Sequence, residues 1–256
     1  MKIAITGKGG SGKTTLSALI ALAWANQGYK VLAIDADPVA SLASALGFPE
    51  PDKIIPLSRM AGLVEERTGA KPGKSGQIFK LNPTVNDLPD KIAHEHNGIK
   101  LIVMGGVASG GSGCACPENA LVRNLLQHII LERDERVIVD MEAGIEHLGR
   151  GTADAVDCLI TVVEPSLRSI QAAHQIKSLA GDIGIKNVRA VCNKIQSAED
   201  EKFIRNNLDS LKIIGLLPLS VSLKDTDSKG ISRTSDKEVS SAINGIITAL
   251  EIKDKT

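Results

Sequence analysis

The chain has 256 residues, which is long enough for one large α/β domain with a substantial core. Its 30 basic and 30 acidic residues cancel, and this balance disfavours a dedicated nucleic-acid binder because such proteins usually carry a basic excess. No apolar run is long enough to span a membrane and the first residues lack a secretory signal pattern, so we expect a cytoplasmic protein that binds neither nucleic acid nor membranes.

Short apolar runs alternate with helical patterns along the whole chain. Several of these runs, such as 101–104 and 137–139, show no polar alternation, which is typical of strands buried on both faces of a parallel sheet. The pattern predicts a doubly wound α/β fold with a mostly parallel sheet flanked by helices. The predicted strands are 2–6, 30–35, 100–104, 136–140, 158–163, 188–192 and 212–217. The predicted helices are 13–27, 117–132, 168–183, 199–208 and 237–250.

Residues 49–98 differ in composition from the rest of the chain, being richer in Pro, Gly and Lys. We interpret them as an insertion between strands, partly helical at 58–68, and not as a separate domain. We therefore expect residues 1–256 to form a single domain.

Residues 7–14, Gly-Lys-Gly-Gly-Ser-Gly-Lys-Thr, lie between the first predicted strand and the first predicted helix. Glycine lets backbone N–H groups approach phosphate oxygens closely, and the following helix N-terminus favours anions. The sequence therefore predicts a P-loop NTPase in which Lys13 contacts the β- and γ-phosphates and the Thr14 hydroxyl binds Mg²⁺. The other predicted nucleotide-binding residues of this segment are Gly9, Gly10, Ser11, Gly12 and Thr15.

Two predicted strands end in carboxylates that should lie beside the P-loop. The first ends in Asp35 and Asp37, just before a proline, and the second ends in Asp140. Parallel strands deliver their functional groups at their carboxyl ends, so both sets should face the nucleotide. Asp140 has the Walker B form, in which the carboxylate meets Mg²⁺, usually through water.

The pair Cys114-Ala-Cys116 lies in a glycine-rich loop that leads into a predicted helix at Pro117. A helix N-terminus favours the thiolate form, and residues i and i+2 of an extended segment project to the same side. Two thiolates are too few for a closed tetrahedral site, but a two-fold dimer supplies two more. We predict one metal held between two subunits, with Zn²⁺, Ni²⁺ or an Fe–S cluster as candidates.

Other interpretations of the four cysteines remain open. The pair 114 and 116 could instead be ordinary buried cysteines or a redox pair. Cys158 and Cys192 fall in apolar strands, and we expect both to be small core residues.

Residues 8–14 fit the deviant Walker A pattern K-G-G-x-G-K-[ST], because Lys8 follows the first glycine. This pattern resembles that of the MinD/ParA/nitrogenase-iron-protein class of dimeric ATPases. The resemblance implies a homodimer in which Lys8 crosses the interface and touches the partner's nucleotide. It also implies that Asp37 orients or deprotonates the attacking water, while Asp35 supports the Mg²⁺ shell. Lys8, Lys13 and Asp37 are thus the predicted catalytic residues.

The same resemblance extends to three further positions. Residues 140–144 are similar to switch II, in which the N–H of Gly144 would sense the γ-phosphate. Asn193 matches the base-binding asparagine of the class, and an amide can read the adenine edge because it has a donor and an acceptor. Pro218 ends the strand where the class places backbone contacts to adenine, although Ser220 stands where a carboxylate is common.

The segments 113–121 and 140–151 resemble those of the CooC-type ATPases, which are accessory proteins for nickel insertion into carbon monoxide dehydrogenase and the related acetyl-CoA synthase. This implies ATP or ADP with Mg²⁺ as cofactors, and Ni²⁺ or Zn²⁺ bound by the C-x-C cysteines at the dimer interface. It implies one of those two enzymes as the client, without choosing between them. Glu142, Glu146 and His147 could be secondary metal or switch residues, or a solvated loop.

Two other functions remain as alternatives. A MinD- or ParA-type positioning ATPase would need a basic face or a terminal amphipathic helix. The C-terminal pattern 239–250 is apolar at helical spacing but has no aromatic residue and few cations, so we expect it to pack on the core. An Fe–S electron donor could use the same C-x-C pair.

Overall fold

The computed structural model describes residues 1–72, 74, 77–105, 116–132, 135–142, 156–220, 231 and 236–252. Strands in these ranges form one sheet in the order β3-β4-β2-β5-β1-β6-β7-β8. All neighbouring strands are parallel except β3 and β4, which are antiparallel. The strands are β1 Lys2–Gly7, β2 Val31–Asp35, β3 His94–His96, β4 Ile99–Val103, β5 Arg136–Asp140, β6 Cys158–Val163, β7 Val188–Ile195 and β8 Lys212–Pro218.

Helices follow most of the strands, which confirms the predicted α/β fold with a mostly parallel sheet. Two short 3₁₀ helices, Pro51–Lys53 and Leu57–Arg59, lie between β2 and β3. The α-helices are α1 Lys13–Asn26, α2 Leu42–Ala45, α3 Ala61–Thr68, α4 Leu88–Ile92, α5 Pro117–Glu132, α6 Leu167–Ile183, α7 Ala198–Asn207 and α8 Lys237–Glu251.

The sheet is buried on both faces, as the unbroken apolar runs predicted. Ile3 and Ile5 pack on one face among side chains of α1 and α8, whereas Ala4 between them packs on the other face among side chains of α5. Every residue of β2 and β6 is buried. Alternate residues of the central strands therefore join two cores, one on each side of the sheet.

Helix α8 packs on the core, as predicted for the C-terminal apolar pattern. Its apolar stripe is buried against β8 and α1. Cys158 and Cys192 are buried in β6 and β7, which confirms both as core residues. None of the helices in the described ranges combines the length and the apolar composition that a membrane crossing requires.

Strand β3 was not predicted, and it lies inside the segment 49–98 that we interpreted as an insertion. It pairs with β4 at the edge of the sheet, so the end of this segment is part of the sheet. The strand has only three residues, of which His94 and Glu95 are exposed. So short a polar run carries neither the apolar content nor the alternation by which strands are recognised.

Candidate functional site

The P-loop joins β1 to α1 at the carboxyl edge of the sheet. The N–H of Ser11 donates to the carbonyl of Lys8 at 3.1 Å, which closes the loop into a compact turn. Helix α1 begins at Lys13 without a side-chain hydrogen bond at its N-cap, Gly12. Its first N–H groups are thus available to an anion, as phosphate binding at a helix N-terminus requires.

Two glycines of this loop occupy positions that admit no side chain. A Cβ at Gly7 would lie 2.5 Å from the carbonyl oxygen of Val162 on β6. A Cβ at Gly12 would lie 2.2 Å from the Nδ2 atom of Asn193, and Gly12 has φ +99°. The need for glycine at positions 7 and 12 therefore follows from the close approach of β6 and β7 to the loop.

Asn193 and Lys194 brace the P-loop from the end of β7. A register shift between Cys192 and Ile195 marks a bulge in the pairing of β7 with β8 at these two residues. The Nδ2 group of Asn193 donates to the carbonyl of Ser11 at 2.8 Å, and its Oδ1 accepts from the N–H of Lys194 at 2.8 Å. One N–H and one lone pair of this amide remain for a base, so the predicted adenine contact of Asn193 stays a prediction.

Asp35 and Asp140 lie side by side at the ends of β2 and β5, and both are buried. Asp35 accepts hydrogen bonds from the backbone N–H groups of Asp37 at 3.2 Å, Ser41 at 2.9 Å and Leu42 at 2.8 Å. Through these hydrogen bonds Asp35 holds the loop that follows β2. Burial raises the pKa of Asp35 to about 6, although these hydrogen bonds lower it in part.

Asp140 has the features of a Mg²⁺ carboxylate. Its Oδ1 accepts from the Ser17 hydroxyl at 3.0 Å, whereas its buried Oδ2 has no hydrogen-bond partner among the described residues. Burial raises the pKa of Asp140 to about 7, against the opposing effect of a hydrogen bond from Thr14. Buried polar atoms are rarely left unsatisfied, and hard cations prefer oxygen ligands, so Asp140 and Thr14 fit a Mg²⁺ ion.

Ser11, within the P-loop, has a second buried polar atom that lacks a hydrogen-bond partner within the described ranges. Its hydroxyl oxygen is buried and has no partner in the part of the chain that the structure describes. Lys13 is only 8% exposed, although it is a cation. Phosphate oxygens would accept a hydrogen bond from the Ser11 hydroxyl and would offset the charge of the buried Lys13, which fits a nucleotide in the loop.

Asp37, the predicted catalytic carboxylate, is half-buried beyond the end of β2. Its Oδ1 accepts from the N–H of Val39 at 2.8 Å, an Asx turn that fixes the start of the loop. Further along this loop, the Ser41 hydroxyl donates to the Thr14 hydroxyl at 3.4 Å. The loop that carries Asp37 is thus hydrogen-bonded to Thr14, the residue that is predicted to bind Mg²⁺.

Lys8 makes a contact that the sequence did not predict. Its Nζ lies 2.8 Å from Glu164 Oε1, and the second oxygen of that carboxylate lies 3.1 Å from the Nζ of Lys194. Glu164 directly follows β6, the neighbour of β1. The position of Glu164 after a buried strand was visible in the sequence, but its distance from Lys8 follows only from the strand order.

Of the remaining predicted residues, some lie within the described ranges and others lie outside them. Thr15 is half-buried on the first turn of α1, and Pro218 ends β8 opposite Ile195. Cys116 is half-buried at the start of α5, where its carbonyl accepts from the N–H of Ala120 at 3.1 Å. The residues that lie outside the described ranges are Cys114, Gly144, Glu146 and His147.

Glu142 lies just past the end of β5. Its carbonyl accepts from the Thr6 hydroxyl at 2.9 Å, and the residue is exposed. Within the described ranges no group of three or more His, Cys, Asp or Glu side chains could hold a metal. The predicted metal site has only two cysteines per subunit, so the absence of a group of three or more from the described ranges does not test it. This site stays a prediction.

Comparison with known proteins identifies the family. The family model for the CobQ/CobB/MinD/ParA nucleotide binding domain matches residues 2–233. The chain is 50% identical over 234 residues to the carbon monoxide dehydrogenase accessory protein CooC of Rhodospirillum rubrum, which covers 91% of this chain and 89% of that protein. The chain belongs to the CobQ/CobB/MinD/ParA family, and within it to the CooC-type proteins.

Two further relatives agree with this family. An uncharacterised ATP-binding protein of Methanocaldococcus jannaschii is 44% identical over 254 residues, which is 96% of this chain and 98% of that protein. The structure of the MinD cell division protein of Aquifex aeolicus matches with a TM-score of 0.68 at 25% identity, and the match covers 100% of this chain and 98% of that one. This CooC-type chain is therefore an ATPase with the MinD/ParA fold, as its P-loop predicted.

Proposed function

We propose that this protein is a dimeric, ATP-hydrolysing accessory protein that assists nickel insertion into carbon monoxide dehydrogenase or acetyl-CoA synthase. The observation that carries the proposal is its 50% identity to the CooC protein over nearly the whole of both chains. The C-x-C pair adds to this, because thiolates are ligands that suit Ni²⁺ and Zn²⁺. We further propose that it works in the cytoplasm, as a single domain.

The geometry of the P-loop supports the proposed nucleotide binding. Backbone N–H groups at the start of α1 hold the phosphates, Lys13 offsets their charge, and Thr14 with Asp140 holds Mg²⁺. The bound Mg²⁺ supplies charge neutralisation on the phosphate oxygens. Asp37 positions the attacking water, since phosphoryl transfer needs positioning and charge stabilisation more than covalent chemistry.

Lys8 acts from one subunit on the nucleotide of the other. Its side chain is about a third exposed at the carboxyl edge of the sheet, so it is accessible to a second copy of the chain. ATP binding therefore brings two P-loops face to face, and hydrolysis releases them. Gly144 reports the γ-phosphate to the segment after β5.

Nickel is the cargo of this cycle and binds between the subunits. Each subunit contributes Cys114 and Cys116, and a two-fold axis makes a set of four sulfurs. Cys116 is half-buried at the start of α5, which is consistent with a ligand close to an interface. Because the nucleotide and the metal both act on dimerisation, each must change the affinity for the other.

The metal content per subunit and the molecular mass, measured together, test the proposal. Ni²⁺ is added with and without ADP or ATP to the wild type and to the Cys114→Ser/Cys116→Ser variant. We expect about one Ni²⁺ per dimer, lost with these cysteines. The matched control, Cys158→Ala/Cys192→Ala, changes two core cysteines and should bind nickel normally. Nickel that binds equally to all three proteins would contradict the shared thiolate site.

A further inference from the structure

One carboxylate near the P-loop pairs with two lysines at once. Glu164 Oε1 lies 2.8 Å from the Nζ of Lys8, and Oε2 lies 3.1 Å from the Nζ of Lys194. Lys194 also donates to the carbonyl of Gly10 at 2.6 Å. The three side chains thus form a charge cluster, hereafter the Lys8–Glu164–Lys194 cluster, that bridges the P-loop to the ends of β6 and β7.

The backbone on the β6 side of this cluster is firmly held. The N–H of Glu164 donates to the Ser169 hydroxyl at 3.0 Å. The N–H of Ser169 in turn donates to the hydroxyl of Ser166, the N-cap of α6, at 3.3 Å. Because Gly7 pairs with Val162 on β6, Lys8 is brought beside Glu164 by sheet register. Hydrogen bonds therefore hold the backbone of Glu164 in place, and Lys8 binds to its side chain.

The burial of the partners is unequal. The side chain of Glu164 is 17% exposed, against 36% for Lys8 and 39% for Lys194. Burial opposes ionisation of Glu164, but the hydrogen bonds and charges of the two lysines outweigh it and lower the pKa of this carboxyl. If Lys8 leaves, Lys194 still neutralises Glu164, so no unpaired buried charge remains. The free-energy cost of moving Lys8 away from Glu164 is therefore small.

We propose that Glu164 is the positioning residue for Lys8, which it holds inside its own subunit until the nucleotide of a second copy competes for the ammonium group. Lys194 keeps Glu164 neutralised during this exchange. Formation of the ATP-bound dimer then includes the transfer of Lys8 from Glu164 to phosphate. This inference rests on the proposed action of Lys8 in trans.

The experiment measures the concentration of a non-hydrolysable ATP analogue that gives half-maximal dimerisation, by sedimentation velocity with Mg²⁺. Glu164→Gln removes the charge and keeps the shape, so Lys8 should be released and the required concentration should fall about two- to five-fold. Glu164→Asp keeps the charge, and it should stay closer to the wild type than Glu164→Gln does. The control is Glu201→Gln, which breaks the exposed ion pair of Glu201 with Arg205 on α7 and should change nothing.

A double-mutant cycle with Lys8→Ala separates this role from a structural one. In the Lys8→Ala background, Glu164→Gln should have no further effect, because the residue acts through Lys8. An unchanged or increased nucleotide requirement in Glu164→Gln would overturn the inference, as would an equal effect in both backgrounds. If Lys8→Ala alone dimerises like the wild type, the failure belongs to the proposed trans action of Lys8.

Discussion

Asp35 and Asp140 end adjacent parallel strands at paired positions, and both carboxylates are buried. Only Asp35 is satisfied within the protein by three backbone N–H groups, whereas one oxygen of Asp140 has no partner in the described part of the chain. The pair thus divides two tasks between two similar residues. Asp35 orders the loop that carries Asp37, whereas Asp140 keeps an oxygen available for the Mg²⁺ ion that we propose.

Stability without nucleotide should decrease as the pH rises. Burial raises the pKa of Asp35 to about 6 and of Asp140 to about 7, so the folded protein binds these protons more tightly than the unfolded chain. Their stabilising contribution is complete below the ordinary value of 3.8 and is lost as the pH rises through the folded values. The melting temperature in EDTA should therefore fall between about pH 4 and pH 7.

Asp140→Asn tests the source of this slope. The variant should show a shallower fall in melting temperature over the same range, because one of the two groups no longer titrates. Asp52→Asn, at an exposed position, should keep the wild-type slope. An equally steep fall in Asp140→Asn would show that the slope does not arise at Asp140.

Gly12→Ala should abolish nucleotide binding. The new Cβ would lie 2.2 Å from Asn193 Nδ2, at a backbone φ of +99° that other residues rarely adopt. We expect a loss of stability of about 1–3 kcal/mol in urea titrations and no measurable ATP binding by calorimetry. Gly245→Ala is the matched control, because it has open space in the middle of α8 and should stabilise by about 0.5–1 kcal/mol. Normal ATP binding by Gly12→Ala would contradict the described packing of β7 on the loop.

Asn193→Ala should weaken nucleotide binding by about ten-fold, because it leaves the buried carbonyl of Ser11 without its partner at 2.8 Å. The Kd for ATP, measured by calorimetry, reports this loss. Asn207→Ala removes a comparable hydrogen bond, to Phe203 on the exposed surface of α7, and should leave the Kd unchanged. A wild-type Kd in Asn193→Ala would mean that the loop does not need this brace.

Asp37→Ala should separate binding from hydrolysis. If Asp37 positions the attacking water, kcat for ATP should fall by about 100-fold or more while the Kd for ATP changes little. Phosphate release and calorimetry measure the two quantities. Asp52→Ala is the exposed control and should retain full activity. A fall in ATP affinity equal to the fall in kcat would instead assign Asp37 to binding.

The central part of this fold was predictable because its strands are long, apolar and buried on both faces. The segment 94–96 was missed because an edge strand with exposed His94 and Glu95 has no apolar pattern. Helices α2 and α4 were missed for a related reason, since four and five residues are too few to show a helical period. Long-range pairing decides such short elements, and a single sequence does not show it.

In the candidate site, too, some residues were predictable from local sequence and others depend on long-range contacts. The positions of the P-loop, Asp37 and Asp140 were predictable because local sequence shows a glycine loop and strands that end in carboxylates, whereas the roles of these residues stay predictions. Glu164 was not, because its meaning depends on β6 lying next to β1. Nor did the sequence show that the amide of Asn193 braces Ser11, because that contact spans 182 positions of the chain.

The proposed function is tested most directly by the activation of nickel-free carbon monoxide dehydrogenase. The enzyme is mixed with the nickel-loaded protein and MgATP, and its activity is followed over time against the same amount of free Ni²⁺. We expect faster activation by the wild type, and none above the free-nickel level with Cys114→Ser/Cys116→Ser or Asp37→Ala. Two results would contradict the proposed function: equal activation with all three proteins, or activation by the wild type that is no faster than with free Ni²⁺. The result has to hold for acetyl-CoA synthase as well as for carbon monoxide dehydrogenase, because either enzyme is a proposed client.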